Sequence, residues 1–454
     1  MTIHSSLLTH IASSTRLADD ARSYPSVSTD TRTLAANALF VPLVGERFDG
    51  HTFLQKAVEA GATGAIWQSD TPVPADLRND VQLYFVEDSL VALQELAHAY
   101  RKQVDPFVIG ITGSNGKTTT KDMLEGLLLG SGVVHKTKGN LNNQIGVPLT
   151  LLSMPADCTY AVIEMGMNHF GEIERLSEIA RPNAAIVTSI GDAHLEFLGS
   201  RAGIAKAKME IEKGLIGEKT LYLDGDEPLL APYVKTSMRT VGFDARSDVH
   251  IEDVTPTSNG YSFLISQLGA FSLPILGRHN VKNVTYCLAL ASSLGIASEV
   301  LRERMNNLRI TEMRLQQTDG PEGSMIVNDA YNANPTSMKA AVDTVKEIPG
   351  YSKKVAVLGD IYELGSEEEA LHASVAEVIS SPITTLLAVG EKGRWIFEAA
   401  RTLAPKNVTL EYAATVSEAK QKLKPYFASD TVILLKASRG LALEGVLPSE
   451  KGDE

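Results

Sequence analysis

Short apolar runs rich in β-branched residues punctuate this chain, and stretches with helical spacing separate them. Residues 107–111 (FVIGI) read as a buried strand, and 161–163 and 185–189 have the same character. Between the first two, residues 117–129 place Met123, Leu124, Leu127 and Leu128 on one helical face. Strand, glycine-rich loop, helix and strand make a βαβ unit, so a parallel sheet covered by helices is expected. The last third repeats this rhythm at 325–328 (MIVN), 355–359 (VAVLG), 386–390 (LLAVG) and 432–436 (VILLK). That predicts a second α/β sheet in a region of about 140 residues. Residues 221–276 alternate short runs with turns and are expected to form an antiparallel extension of the middle sheet. The beginning of the chain is different: a polar turn (STDTR), a strand-like run (ALFVPLVG) and a helix over 52–60. A boundary near Tyr84 and another before residue 312 give three α/β domains, 1–84, 85–311 and 312–454.

Composition narrows the classes. The chain has 454 residues, 44% hydrophobic and 21% charged, an ordinary globular balance too long for a single core. It contains no apolar run long enough to span a membrane, and its first residues lack the pattern of a secretory leader. Two cysteines, Cys158 and Cys287, make neither a disulfide framework nor a multi-cysteine zinc site, which suits a cytoplasmic protein. The net charge of -13 argues against a nucleic-acid or membrane-surface partner. It leaves room for a local anion site built from a few lysines and glycines.

Residues 110–120, GITGSNGKTTT, follow a strand and open a helix, which is the context a phosphate loop requires. Amides at a helix start hold phosphate oxygens, and the helix dipole adds partial positive charge. Thr112, Gly113, Ser114, Asn115, Gly116, Lys117, Thr118 and Thr119 are the nucleotide-binding candidates. Lys117 is placed for the β/γ-phosphates and the Thr118 hydroxyl for Mg²⁺. The loop is a variant, because Ile111 stands where the strict pattern has its first glycine. Glu164 ends a predicted strand, the usual place for active-site groups in open parallel sheets.

TGSNGKTTT, then GNLNNQIGVPLTLL (139–152) and EMGMNH (164–169), resemble the ATP-dependent Mur ligases of peptidoglycan synthesis. GDAHLEFLGS (191–200), IAKAKMEI (204–211), GRHNVKN (277–283), NDAYNANPTSM (328–338), GDIYELG (359–365) and KASRG (436–440) follow in the family's order. The resemblance covers essentially the whole chain and implies a central ATPase-like parallel sheet, a Rossmann-like C-terminal domain and a small N-terminal α/β domain. It implies ATP and two Mg²⁺ ions as cofactors, with Thr118, Glu164, His194 and Lys208 around the metal and Lys208 carried as a carbamate. Lys117, Glu164, His194 and Lys208 then form the catalytic set. Asn283 is implied at the adenine, with Arg314 and Asp329 reaching the nucleotide from the last domain.

For the UDP-sugar, the resemblance points to Ser28, Thr31 and Arg32 in STDTR and to Arg47, Asp49, Gly50 and His51 in GERFDGH. Thr137, Asn140, Asn143 and Gln144 would face the sugar-peptide. Asn332, Asn334, Asp360, Glu363, His372, Lys436, Ser438 and Arg439 would meet substrate from the C-terminal domain. VLGDIYELGSEEEALH (357–372) stands where the member that adds the third residue carries a GGDRD-type loop. The pattern is closest to the member that adds D-alanyl-D-alanine to UDP-N-acetylmuramoyl-tripeptide, and a monomer is expected. Residue by residue, bland roles stay open: Asn280 as a helix cap, Asn332 and Asn334 as turn formers before Pro335, Lys206 and Lys208 as solvated helix lysines. A phosphate-loop switch and an inactive homologue are alternatives. The order of blocks disfavours the first, and retention of Lys117, Glu164, His194 and Lys208 disfavours the second.

Overall fold

The structure, a computed structural model, describes residues 2–17, 21–46, 48–192, 195–257 and 259–448. The chain divides into two compact units, 1–112 with 128–186 and 207–221, and 113–127 with 187–206 and 222–454.

The first unit opens with a five-stranded sheet. Val27–Ser28, Leu39–Phe40, Gly64–Gln68 and Gln82–Val86 run parallel, and Ser14–Thr15 joins the last of them antiparallel. The helix expected over 52–60 begins as a 3₁₀ turn, Gly50–Phe53, and continues as Leu54–Glu59. It buries Leu54, Ala57 and Val58 against Phe40, Trp67 and Leu83. Tyr84, expected near the first boundary, is a buried residue inside the strand Gln82–Val86. The chain leaves this sheet only afterwards, where the Asp88 carboxylate accepts the Val91 amide at 2.8 Å and starts the helix Ser89–Val104.

The same unit holds the parallel strands Val134–Lys136, Tyr160–Glu164 and Phe107–Thr112, with Tyr160–Glu164 in the centre of the three. Phe107–Thr112 and Tyr160–Glu164 extend the expected runs 107–111 and 161–163 by one or two residues, Val134–Lys136 is not among the expected runs, and the run expected over 185–189 forms the strand Ala184–Val187. Register sets Glu164 beside Ile111 at the carboxyl ends of their strands. Arg101, buried on Ser89–Val104, donates to the Ala180 and Arg181 carbonyls at 3.0 Å and closes the end of the helix Glu172–Ala180.

In the second unit the segment after residue 221 is mixed. Met238–Gly242 pairs parallel with Val249–Pro256, and the antiparallel part begins there, through Tyr261–Ile265 to Gly269–Leu273. The C-terminal sheet has six strands in the order Gln316–Asp319, Met325–Asn328, Thr431–Lys436, Lys353–Leu358, Thr385–Val389, Thr409–Ala413. All neighbours are parallel except the first pair. Alternate residues feed two cores: Val327, Ala356, Leu358 and Leu434 on one face, Ile326, Val355, Val357 and Leu435 on the other. The helices Pro335–Glu347 and Gly393–Leu403 cover the first face and Val416–Leu423 the second, as a doubly wound sheet requires.

One buried cation holds this domain's first helix. Lys354 is 5% exposed, and its Nζ donates to the Val345, Lys346 and Ile348 carbonyls at 2.9, 2.7 and 2.6 Å. It supplies the donors that the end of Pro335–Glu347 lacks. Replacing Lys354 by Met is expected to lower stability by about 1–3 kcal/mol, read as a fall in the denaturant midpoint. An unchanged midpoint would show that water serves these carbonyls equally well.

Candidate active site

The phosphate loop is shaped by two glycines with positive φ. Gly113 has φ 151° and Gly116 has φ 83°. A Cβ on Gly113 would lie 1.9 Å from Thr188 Oγ1, and one on Gly116 would lie 2.8 Å from Asn283 Oδ1. No side chain fits at either place. Between them, Ser114 and Asn115 are tied to the next strand's end. The Ser114 amide donates to the Ser189 carbonyl at 2.9 Å and the Asn115 amide to Ser189 Oγ at 3.0 Å. The Asn115 carbonyl accepts from Thr188 Oγ1 at 2.5 Å and Ser189 Oγ at 3.1 Å. The missing first glycine has a simple account: Ile111 is a buried residue inside the strand Phe107–Thr112, before the loop begins.

Lys117 opens the helix Lys117–Leu128, and its Nζ donates to the Gly113 carbonyl at 2.7 Å. Arg314 Nη2 donates to Thr118 Oγ1 at 3.1 Å, and its guanidinium lies over Tyr331, 4.4 Å from the ring centre. Among the described residues, Ser114 Oγ and Arg314 Nε are buried with no hydrogen-bond partner. A loop that no Cβ can enter, an orphaned hydroxyl and an orphaned guanidinium donor fit an incoming polyphosphate. Thr118 and Thr119 are both buried. The Thr118 hydroxyl is a hard oxygen donor of the kind Mg²⁺ takes. While it accepts from Arg314, a cation stands at that place, so metal binding calls for the guanidinium to shift toward phosphate.

Asn283 is buried over Gly116 and donates to Asn280 Oδ1 at 3.0 Å, while Asn280 donates to the Leu276 carbonyl at 2.7 Å. Asn280 therefore does not cap the helix Arg278–Ser293, whose cap position is Gly277. Asp329 accepts the Leu315 amide on Oδ1 at 3.1 Å and Lys436 on Oδ2 at 2.5 Å. Lys436 is 2% exposed and also donates to the Asn332 carbonyl at 3.0 Å. Expected at a substrate, Lys436 is committed to fixing Asp329 and the turn after it. Asn332 bonds the amide of Ala333 at 2.9 Å, the turn-forming role.

In the other unit Glu164 is 3% exposed and accepts from Asn142 Nδ2 at 2.9 Å, and its own amide donates to Thr137 Oγ1 at 2.9 Å. Asn143 accepts the amides of Ile145 and Gly146 at 3.1 and 2.9 Å and so starts the helix Gly146–Leu152. The Gln144 carbonyl takes a bond from Gln94 at 3.1 Å, and Asn140 is exposed. Thr137 and Asn143, expected at the sugar-peptide, thus shape the loop. Asn142, which the sequence reading passed over, touches the carboxylate. One position in the run of polar residues carried no signal to separate it from its neighbours. Lys208 is 2% exposed on the helix Arg201–Met209, whereas Lys206 is exposed, which separates the two lysines. His194 and Arg47 lie outside the described residues.

Three family models match in order along the chain: the Mur ligase family catalytic domain at 23–101, the Mur ligase middle domain at 111–291, and the Mur ligase glutamate ligase domain at 313–439. The chain belongs to the Mur ligase family. The UDP-N-acetylmuramoyl-tripeptide–D-alanyl-D-alanine ligase of Bacillus subtilis (strain 168) is 44% identical over 423 residues, covering 93% of this chain and 92% of that protein. A crystal structure of MurF from Acinetobacter baumannii superposes with a TM-score of 0.87 at 30% identity, covering 98% of each chain. MurF from Thermotoga maritima, solved in complex with ADP, gives 0.82 at 27% identity, covering 93% of this chain and 96% of that one.

Several polar positions expected to touch substrate make hydrogen bonds within this Mur ligase's own chain. His51 is buried edge-on to Trp67 at 4.7 Å, and Asp49 Oδ1 accepts both its amide, at 2.9 Å, and its Nδ1, at 2.7 Å. Those bonds, led by the backbone amide, hold the Asp49 carboxyl below its ordinary range. A Cβ on Gly50 would lie 2.6 Å from the Leu43 amide nitrogen, so that turn is close-packed. Arg32 stays exposed but is matched by Asp30, with contacts of 2.9 and 2.6 Å that hold Asp30 at about 2. Ser28 Oγ accepts the Asp30 amide at 3.1 Å, and Thr31 lies in the same partly exposed turn.

At the C-terminal sheet, Asp360 Oδ1 accepts the Lys392 and Gly393 amides at 2.9 and 2.8 Å and starts the helix Gly393–Leu403. Ser438 Oγ accepts the Tyr362 amide at 3.0 Å. Arg439 pairs with Glu444 at 2.5 Å, and Glu363 is an exposed residue with φ 63°. His372, fully buried, accepts the Ile361 amide on Nε2 at 2.9 Å and donates from Nδ1 to the Glu368 carbonyl at 2.6 Å. His372 thus spends both ring nitrogens on backbone, while Asp360 uses one carboxylate oxygen and Ser438 its acceptor capacity as braces.

Burial pushes the His372 ring below its ordinary 6.5, against the opposing pull of the Glu368 carbonyl and Asp360, with Lys392 adding to the depression. A depressed folded value means the neutral ring contributes stability above 6.5 that is lost as the pH falls. The stability difference between the unaltered protein and His372→Gln is expected to shrink as the pH falls below 6.5. Parallel pH curves for the two proteins would contradict a neutral buried ring.

Proposed function

We propose that this chain is an ATP-dependent ligase that joins D-alanyl-D-alanine to UDP-N-acetylmuramoyl-tripeptide. The products are UDP-N-acetylmuramoyl-pentapeptide, a peptidoglycan precursor, with ADP and phosphate. The observation that carries the reading is the near full-length likeness to a ligase bearing that activity in its name, together with a phosphate loop built to take a nucleotide. The loop after the strand Lys353–Leu358, GDIYELG, supports D-alanyl-D-alanine as the acceptor.

In the reaction the terminal carboxylate of the tripeptide attacks the γ-phosphorus of ATP. The bond to the bridging oxygen breaks, ADP leaves, and an acyl phosphate forms. The dipeptide amine then adds to the activated carbonyl, and phosphate departs with the electron pair of the broken bond while the amine loses its proton. No protein nucleophile takes part, so the chain contributes positioning and charge. Lys117 and the loop amides hold the phosphates, and Arg314 meets them with its orphaned Nε donor. Thr118, Glu164, His194 and Lys208 are the residues we assign to two Mg²⁺ ions, whose charge, when they are bound, offsets the repulsion between two anions. A carbamate on Lys208 turns a cation into an oxygen ligand. Lys208 is 2% exposed whereas Lys206 is exposed, which supports Lys208 over its neighbour.

Residues 1–84 are assigned to the UDP part, 85–311 to ATP and 312–454 to the dipeptide. The same reading places the protein in the cytoplasm, working as a monomer. Among the described residues no helix is long and apolar enough to cross a membrane.

Phosphate release with UDP-N-acetylmuramoyl-tripeptide is expected to require D-alanyl-D-alanine and to yield the pentapeptide by mass. Release that ignores the dipeptide would sink the acceptor assignment. Lys208→Ala is expected to lose about 100-fold or more in kcat, with partial recovery on adding a short carboxylic acid. Loss with no recovery by any small carboxylate would count against the carbamate.

A further inference from the structure

Asn334 uses every polar atom of its side chain on the protein. Its Oδ1 accepts the Ser337 amide at 2.8 Å, its backbone amide donates to Ser337 Oγ at 3.0 Å, and the two bonds form a capping box at the start of the helix Pro335–Glu347. Its Nδ2 donates to Asn115 Oδ1 at 2.7 Å. Asn115 is the phosphate-loop residue just before Gly116, and Thr188 and Ser189 already hold its backbone. The Asn334 bond fixes its side chain. Two residues further along the same helix, the Thr336 hydroxyl donates to Asp192, in the loop that also carries the Ile190 carbonyl bonded by Arg201 at 2.9 Å. The helix is itself immobilised, because Met338, Ala341, Val342 and Val345 are buried in the C-terminal core.

We infer that Asn334 is a positioning residue of the nucleotide site: through Asn115 it holds the phosphate loop in its binding shape. Each side-chain heteroatom already carries one bond to the protein, Oδ1 from the Ser337 amide and Nδ2 to Asn115 Oδ1, so the orientation of the amide is fixed from within the chain. The helix cap and the loop brace are one residue, so the loop is braced by a part of the chain folded around a different sheet. The inference rests on the reading of residues 112–119 as a nucleotide site and is independent of which amine accepts the acyl group.

The cap and the brace separate by mutation. Asn334→Ser keeps an oxygen that caps a helix as well as Asn does but is too short to reach Asn115. Ser337→Ala removes half of the capping box and leaves the bond to Asn115 in place. With MgADP as probe in calorimetric titration, Asn334→Ser is expected to bind about fivefold to tenfold more weakly. Its thermal midpoint should stay within about 2 °C of the unaltered protein. Ser337→Ala is expected to lower the midpoint and bind MgADP unchanged. Asn334→Asp, which keeps length and cap but lacks the donor, should weaken binding as well, and it decides the matter if the serine variant does not fold. MgADP affinity within about twofold of the unaltered protein in the Asn334 variants overturns the inference, as does equal weakening in Ser337→Ala. An unaltered protein that binds MgADP but releases no phosphate in response to D-alanyl-D-alanine would refute the acceptor assignment alone and leave this comparison standing.

Discussion

The phosphate loop can exist only because two of its residues have no side chain. Thr188 stands where a Cβ of Gly113 would go, and Asn283 where one of Gly116 would go. Both glycines also hold φ values that other residues adopt only with strain. The close approach has a purpose beyond compactness. It lets Thr188 and Ser189 bond the backbone of Asn115 and so turns a loop into a fixed frame of amides at a helix start. Such a frame binds phosphate well because little ordering remains to be done when the ligand arrives. Lys117, Thr118 and Arg314 then act from known positions instead of searching for them.

That frame also resolves the oddity of an acidic protein with polyanionic substrates. A net charge of -13 offers no general attraction to ATP or a UDP-sugar. Attraction must come from groups whose fields are local and desolvated: helix-start amides, one lysine folded over Gly113, and one guanidinium with an orphaned donor. Elsewhere the cations are largely spoken for. Arg32 is matched by Asp30, Lys436 by Asp329, Lys392 by Glu368 and Arg439 by Glu444.

The fold was readable because its signal is repeated. The inner parallel strands, among them Phe107–Thr112, Tyr160–Glu164 and Thr431–Lys436, are apolar runs largely buried on both faces, and the run at 325–328 coincides with the observed strand Met325–Asn328. The phosphate loop was readable because its glycines and lysine are fixed by sterics and charge. The first boundary is expected near Tyr84, ahead of the amphipathic stretch that begins at Ser89; the strand Gln82–Val86 carries the first sheet slightly past it, up to the helix Ser89–Val104. The antiparallel extension was recognised from its turns, but turns do not reveal that Met238–Gly242 pairs parallel to its neighbour.

The expected site residues that bond within the chain share a chemistry. Asp, Asn, Ser and His are the side chains that bind ligands, and they are equally the side chains that cap helices and brace loops. Spacing cannot tell the two apart, because the deciding fact is whether the heteroatoms are already used. Asp360 gives one oxygen to two amides at a helix start, His372 gives both ring nitrogens to backbone, and Lys436 saturates itself on Asp329 and Asn332. These residues sit in family motifs and lie close to the ends of the C-terminal strands, where ligands bind in such folds. Their positions belong to the site while their atoms belong to the scaffold. A motif in this family therefore records two demands at once, the shape of the cavity and the contacts within it, and only the count of unspent donors and acceptors separates them. On that count Ser114 Oγ and Arg314 Nε are unspent, one oxygen of Asp360 is used, and both ring nitrogens of His372 are used.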